Sequence, residues 1–288
     1  MAYVRKDVST LTRTERRRFV NALLELKRRG EYDEFVRLHI DYYTADGEDG
    51  LRTAHMAPSF LPWHRKFVLE LERALRRVDS SVTMPYWNWT RDRTTTSAPW
   101  TNDLLGGNGR RSDRQVMTGP FAYSAGHWTI KEGITDGRFL TRDLGRPASP
   151  LELPTRSQLQ WALDDPVYDV RPWDSTVPRG FRNKLEGWGS GSGSASLRNH
   201  NRVHRWVGGA MLGGGAVNDP VFLLHHTFLD LQWYRWQRAH SSHRYLPAEP
   251  PGLADPQHER IVARHQKLPP WDVTPDGLED MSRIYRYA

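Results

Sequence analysis

The sequence predicts a mainly α protein with long irregular loops and few short strands. Two observations carry this prediction. Five stretches place apolar residues at the spacing of one helix face, and residues 85–184 have short apolar runs among frequent Gly, Pro, Ser and Thr, with one helix near 155–163. A length of 288 residues allows one large domain or two small ones. The Gly/Ser-rich stretch at 189–196 reads as a loop, not a boundary, because helical periodicity resumes after it, so we expect a single domain over 1–288.

The first half of the chain predicts three helices. Thr12 and Glu15 form a capping-box pattern that opens the first helix, and Gly30 is expected to end it. A second helix follows at once and carries His39 on its apolar face. A third helix, which starts near Pro62, carries His64 on its buried face. Both histidines are therefore expected inside the protein.

Two further helices are predicted in the second half. The fourth places His200, His204 and Met211 on one face. The fifth opens with Asp219, which suits an N-cap, and Pro220, which suits the first helical position. An apolar stripe then follows along the fifth helix, so this helix is expected in the core.

Composition excludes several kinds of site and partner. The chain has no cysteine and 12 histidines, which excludes disulfides, thiolate metal sites and a cysteine nucleophile. The formal charge is +7, but arginines alternate with acidic residues, which favours a solvated surface over a nucleic-acid interface. No stretch approaches the roughly 20 apolar residues of a membrane span. We expect neither a nucleic-acid nor a membrane partner.

Five histidines fall on buried faces of four predicted helices, although any single one would more often be an ordinary core residue. They are His39, His64, His200, His204 and His226. Burying several imidazoles together is costly unless their lone pairs are used, and a shared metal is the simplest use. His200 and His204 lie one helical turn apart, which is chelating geometry, and His226 on the next helix adds a third nitrogen.

A second set of imidazoles is indicated in the first half. His39 and His64 lie on facing helices, and His55 lies in the segment between them, although spacing alone does not decide whether it completes a site. The chain lacks the His-Glu-x-x-His pattern of zinc peptidases and the Glu-x-x-His pairs of di-iron bundles. A set of neutral nitrogens favours copper, with zinc as the alternative. Two three-histidine sites in one helical core indicate a copper pair.

Three segments, in this order, resemble the signatures of type-3 copper proteins and best match short bacterial tyrosinases of the actinomycete type. They are HMAPSFLPWHRKF at 55–67, HNRVHRWVGG at 200–209 and NDPVFLLHHTFLD at 218–230. The resemblance extends over nearly the whole chain. It implies one tyrosinase-like catalytic domain in which a central four-helix bundle holds a di-copper site.

The resemblance also implies which histidines bind the metal. The first copper is assigned to His39, His55 and His64, and the second to His200, His204 and His226. Of the adjacent pair, we choose His226 because it shares the apolar face of its helix, and His225 is expected to lie beside the ligands. Without cysteine, His55 cannot carry the thioether found in some type-3 copper proteins.

Four further residues are candidates around the metals. In tyrosinase-like proteins a glutamate and an asparagine are proposed to hold a water that deprotonates the phenol, and the matching residues are Glu186 and Asn201. Glu186 could instead be an ordinary loop carboxylate, and the Gly/Ser stretch after it is longer than the family pattern. Asp219 could orient a ligand histidine besides its capping role. Arg205 is expected near the mouth, where a guanidinium favours substrates with a carboxylate.

The implied function is a copper- and dioxygen-dependent oxidase that converts o-diphenols to o-quinones and hydroxylates monophenols. The alternative in the same class is an o-aminophenol oxidase of secondary metabolism with little action on monophenols. Outside that class, the pattern is also compatible with an oxygen carrier like the haemocyanins, or with a basic helical binding protein whose histidines are fortuitous. Actinomycete relatives tend to receive copper from a small partner that carries the export signal. We therefore expect a copper-delivery (caddie) partner, and a chain that is cytoplasmic or secreted with that partner's help.

Overall fold

The chain is mainly α-helical, which confirms the predicted fold class. The computed structural model describes residues 2–45, 47–133, 138–188 and 196–288, so most of the Gly/Ser-rich stretch lies outside the described residues. Within these ranges the helices are α1 (Arg13–Arg28), α2 (Glu31–Asp41), α3 (Phe60–Val78), α4 (Tyr123–Gly126), α5 (Arg156–Leu163), α6 (Phe181–Glu186), α7 (Asn199–Val207) and α8 (Val221–Ala239). The strands are β1 (Tyr3–Arg5) and β2 (Tyr285–Tyr287), paired in parallel.

The predicted helix starts are visible in the hydrogen bonds. At α1, the Thr12 hydroxyl accepts from Glu15 N at 3.2 Å, and the Glu15 carboxylate accepts from Thr12 N at 2.8 Å. Thr155 and Gln158 form the same reciprocal pair at α5. Gly30 separates α1 from α2 at φ +80°, a conformation that costs glycine little. The predicted start and end of α1 are therefore confirmed.

The end of α7 and the start of α8 differ from the predictions. Gly208, at φ +63°, ends α7, so Met211 lies in a 3₁₀ turn after the helix instead of on its face. Pro220 precedes α8 rather than occupying its first position. Asp219 still accepts from Val221 N at 3.1 Å, which satisfies one of the free N–H groups of the first turn.

Helices α3 and α8 form the centre of the molecule. They pack against each other, α1 also packs on α3, and α7 also packs on α8. Thirteen of the 19 residues of α3 and fourteen of the 19 residues of α8 are buried, so both helices are enclosed on most sides. Helix α2 packs on the turn Gly214–Asn218, which precedes α8. No helix in the described part of the chain is both long and apolar enough to cross a membrane.

A buried charged cluster joins β1 and β2 to α3 and α8. Arg5 is fully buried and donates to Glu72 at 2.5 Å and to Asp230 at 3.0 Å. Arg65 also donates to Asp230, and the Tyr285 hydroxyl donates to the same carboxylate at 2.6 Å. Buried charges are tolerated when they are paired and hydrogen-bonded in this way.

Candidate metal centre

Seven histidines gather between α2, α3, α7, α8 and the loop before α3. The first group is His39, His55 and His64, and the second group is His200, His204, His225 and His226. In each group, one nitrogen from every ring lies within 4.8 Å of the others. All are buried except His204, which is half-buried. The structure thus brings together all six histidines predicted as ligands and adds His225.

The two groups touch each other. The rings of His64 and His226 are stacked with their centroids 4.1 Å apart, and those of His55 and His200 are 5.9 Å apart. Metals held by the two groups would therefore be neighbours, as a dinuclear centre requires.

The hydrogen bonds of the imidazoles test whether the groups fit a metal. Four Nδ1 atoms lie at backbone carbonyl oxygens: His39 at Gly214 (2.5 Å), His64 at Phe60 (2.9 Å), His200 at Glu186 (3.2 Å) and His204 at Met211 (2.7 Å). A carbonyl only accepts, so Nδ1 carries the proton and Nε2 keeps its lone pair. Nε2 of His39, His64 and His200 is buried without a partner among the described residues. These atoms are available as metal ligands, and the nitrogen set suits copper or zinc.

The histidines are also in the protonation state that metals need. Burial lowers the pKa of all seven imidazoles. For His39 and His204 the pKa falls to about 4. The rings are therefore neutral at pH 7, because charging them inside the protein costs desolvation energy.

His225 and His226 have different surroundings although they are adjacent. His226 lies between the groups, stacked on His64, and its Nε2 is 3.4 Å from Nε2 of His204. The ring of His225 is stacked on that of His200 with their centroids 5.2 Å apart, and both of its nitrogens are buried. The position of His226 between the two groups supports it as the ligand, and this assignment stays a prediction. Sequence reasoning did not include His225 among the ligands, although the adjacent pair in the sequence was the available signal for its place in the second group.

A cavity of about 350 Å³ opens onto the histidine groups. Its lining includes His39, Tyr43 and His55 from the first half of the chain, and Asn201 and Arg205 from α7. The volume is in the range of small-molecule sites. It is large enough for one substituted aromatic ring beside the imidazoles.

Asn201 and Arg205 both lie where the sequence analysis expects them. Nδ2 of Asn201 is buried and has no hydrogen-bond partner among the described residues. Arg205 is exposed at the cavity and makes no described ion pair. As far as the described residues go, an amide donor and a guanidinium can therefore interact with groups that enter the cavity.

Glu186 is placed differently, because it does not line the cavity. Its Oε1 accepts from Met56 N at 2.7 Å and its Oε2 accepts from Arg182 Nη1 at 2.8 Å. Burial raises the pKa of the Glu186 carboxyl, and the nearby Arg182 opposes this rise. Its backbone oxygen is the acceptor for His200 Nδ1. Its role as a base stays a prediction.

The structure corrects the prediction that Asp219 orients a histidine. Its carboxylate accepts from Arg142 Nε at 2.7 Å and Nη2 at 2.8 Å, and both side chains are fully buried. The four Nδ1 acceptors found are backbone carbonyls instead. Asp219 therefore fixes the start of α8, and the four histidines with Nδ1 at a carbonyl acquire their orientation from the main chain.

Comparison with known proteins decides the family. A family model described as the common central domain of tyrosinase matches residues 29–239. The chain belongs to the tyrosinase family. It is 50% identical over 285 residues to a tyrosinase from Streptomyces antibioticus, covering 99% of this chain and 98% of that protein. It is 42% identical over 314 residues to a grixazone synthase from Streptomyces griseus subsp. griseus, covering 100% and 99% of the two chains.

Among solved structures, a polyphenol oxidase from Thermothelomyces thermophila is similar to this tyrosinase-family chain. The TM-score is 0.62 at 25% identity, over 89% of this chain and 74% of that one. The three motifs at 55–67, 200–209 and 218–230 all lie inside the segment that the tyrosinase model matches. The resemblance inferred from those motifs is confirmed.

Proposed function

We propose that this chain is a dicopper oxidase that uses dioxygen to convert o-diphenols to o-quinones and to hydroxylate monophenols. The observation that carries the proposal is the pair of neutral histidine groups that touch each other and open to one cavity. The 50% identity to the Streptomyces antibioticus tyrosinase over nearly the full length of both chains supports the same activity.

The ligands for the copper pair are the six histidines inferred from the sequence. His39, His55 and His64 would hold one ion, and His200, His204 and His226 the other. When bound, the pair supplies two-electron exchange with dioxygen and with an ortho-substituted phenol. The protein keeps the imidazoles neutral and fixes four of them through backbone carbonyls. This preorganises the nitrogens before metal arrives.

The substrate ring is proposed to enter the cavity between Tyr43 and Arg205. For a monophenol, the hydroxyl proton must leave before oxidation. Asn201 lines the cavity and is suited to hold the accepting water, because its Nδ2 has no hydrogen-bond partner among the residues that the structure describes. The Glu186 carboxylate does not line the cavity, so as the proposed base it has to exchange one of its present donors, Met56 N or Arg182 Nη1, for that water.

Asn201→Ala is expected to lower kcat/KM for a monophenol by roughly 10²-fold, the scale of a lost general-base contribution. Oxidation of an o-diphenol, which is easier to deprotonate, should change much less. Steady-state oxygen uptake with tyrosine and with dihydroxyphenylalanine measures both. Glu186→Gln should show the same selective loss if its carboxylate acts as the base. Equal losses with the two substrates would contradict the assignment.

Arg205→Ala is expected to weaken binding of carboxylated catechols while leaving neutral catechols unchanged. An exposed ion pair contributes up to about 1 kcal/mol, so KM should rise by up to roughly fivefold for the carboxylated substrate. The difference should shrink at high salt, because screening weakens exposed charge pairs. Arg111→Ala is the matched control, since Arg111 is exposed and does not line the cavity. An unchanged substrate preference in Arg205→Ala would reject this role.

The test of the function is a substrate panel on one copper-reconstituted sample. Copper should bind at about two ions per chain, with oxygen uptake on tyrosine, a catechol and an o-aminophenol. Rapid turnover of the aminophenol with none of tyrosine would favour an o-aminophenol oxidase, a candidate that the 42% identity to a grixazone synthase keeps open. Reversible oxygen binding without catechol turnover would indicate an oxygen carrier. No copper uptake would reject the proposal.

The remaining proposals concern the chain in its cell. We propose that residues 1–288 act as a single catalytic domain, and that a small partner protein delivers the copper. The chain is then cytoplasmic, or exported together with that partner. The alignment with a Streptomyces antibioticus tyrosinase, over 99% of this chain and 98% of that protein, supports the single domain.

A further inference from the structure

His55 is held differently from the other histidines of the first group. His39 and His64 lie on helices, and each has its Nδ1 at a backbone carbonyl. His55 lies in the loop before α3, and its Nδ1 is buried without a hydrogen-bond partner among the described residues. Within the part of the chain that the structure describes, His55 therefore lacks the hydrogen bond that usually fixes the rotation of a ligand imidazole.

The main chain next to His55 is firmly held. Met56 has φ +52°, which is uncommon for a residue with a side chain. Its N–H donates to Glu186 Oε1 at 2.7 Å, and its carbonyl accepts from Arg52 Nη1 at 2.6 Å. These bonds fix where the His55 side chain starts, but they leave rotation about its side-chain bonds free.

Contacts with neighbouring rings can fix the rotation of the His55 imidazole. The nearest ring is that of Tyr43, with centroids 4.6 Å apart and planes tilted by 50°. The rings of His64, His39, Phe60 and His200 follow at 5.0, 5.1, 5.9 and 5.9 Å. Of these four, His39 and His200 line the cavity, as do Tyr43 and His55, and Tyr43 is nearer to His55 than either. Tyr43 is therefore the closest contact on the side where the imidazole would otherwise face open space.

We propose that Tyr43 is a positioning residue that holds the ring of His55 by packing, in place of a hydrogen bond. Its contact sets the metal affinity of the first group. The inference rests on the proposed function only in taking copper as the metal. The aromatic ring supplies the contact, so the hydroxyl of Tyr43 is not required. Loss of a group that orients a metal ligand typically weakens binding 10- to 100-fold.

The test compares Tyr43→Ala with Tyr43→Phe, and uses Tyr42→Ala as the matched control. Tyr42 is the preceding residue, and its described ring contact is Trp63 at 5.9 Å, with none to a histidine of either group. Each variant is loaded with Cu²⁺, dialysed against graded chelator concentrations and analysed for copper per chain. Tyr43→Ala should lose one of its two ions at a chelator concentration roughly 10-fold lower than the unmutated chain requires. Tyr43→Phe and Tyr42→Ala should keep both ions at that concentration.

Thermal unfolding of the metal-free variants separates this effect from general destabilisation. Tyr43→Ala and Tyr42→Ala should have similar midpoints, and if Tyr43→Ala unfolds much earlier, Tyr43→Leu takes its place with the same expected loss. Retention of both ions by the variants without an aromatic ring would overturn the inference, as would equal loss in Tyr43→Phe. If the unmutated chain binds no copper, the proposed function fails instead, so the two failures are distinguishable.

Discussion

Replacing His226 by alanine is expected to remove one of the two copper ions and to lower kcat for o-diphenol oxidation by about 10³-fold or more. His226 lies between the two groups, stacked 4.1 Å from His64 and with its Nε2 3.4 Å from that of His204. A catalytic metal contributes several kcal/mol to the barrier, and its loss costs decades in rate. Copper per chain and initial rates of oxygen uptake measure the two effects on one sample.

The adjacent histidine provides the control for this prediction. His225 is buried equally deeply and belongs to the same group, but its ring lies beside His200 rather than between the groups. His225→Ala should keep two copper ions and most of the activity. If His225→Ala loses copper and His226→Ala retains it, His225 is the ligand and His226 is not.

Replacing Asp230 by alanine is expected to lower the free energy of unfolding by about 3–5 kcal/mol, the usual cost of removing one partner from a buried ion cluster. The change would leave Arg5 and Arg65 buried beside a missing carboxylate. Urea unfolding of the metal-free protein measures the loss. Asp272→Ala is the control, because its ion pair with Lys267 is exposed and should contribute less than about 1 kcal/mol.

The difference in the free energy of unfolding between the unmutated chain and Asp230→Ala depends on pH through the ionisation of Asp230. Burial raises the pKa of its carboxyl, but Arg65 and Arg5 more than offset this, and the pKa lies below its ordinary value. The stabilisation is complete above the unfolded pKa of about 3.9 and is lost as the pH falls through the lower folded value. The gap between the unmutated chain and Asp230→Ala should therefore narrow only below about pH 4. A gap that already closes at pH 6 would contradict this origin.

The sequence could predict features that depend on neighbours a few residues apart. The helices that carry His39, His64 and His226 follow from apolar spacing, and the capping box at Thr12 and Glu15 follows from local hydrogen bonding. The same spacing placed the histidines on buried faces. Local spacing does not show that the four histidine-bearing helices converge. The order of the three motifs, through the resemblance that it carries, indicated that these histidines come together.

What the sequence could not predict depends on long-range contacts from irregular segments. The partner of Asp219 is Arg142, 77 residues earlier, in a region without helical or strand periodicity. One of the two donors described for Glu186 is Met56 N, 130 residues away. The spacing of apolar residues shows which face of a helix is buried. It does not show which side chain from a distant loop contacts that face. For that reason the hydrogen-bond partners of Asp219 and Glu186 could be found only from the structure.

The pairing of β1 with β2 has a consequence for the order in which the molecule forms. The Arg5 guanidinium meets the hydroxyl of Tyr287 at a sequence separation of 282 residues, one of the longest loops this chain can close. Contacts so distant in sequence form late, and during synthesis Arg5 emerges long before Tyr285 and Tyr287 exist. Until then Asp230 lacks two of its hydrogen-bond donors, so the charged cluster between α3 and α8 is incomplete. Nascent chains should thus remain protease-sensitive around α3 and α8 until β2 has been made.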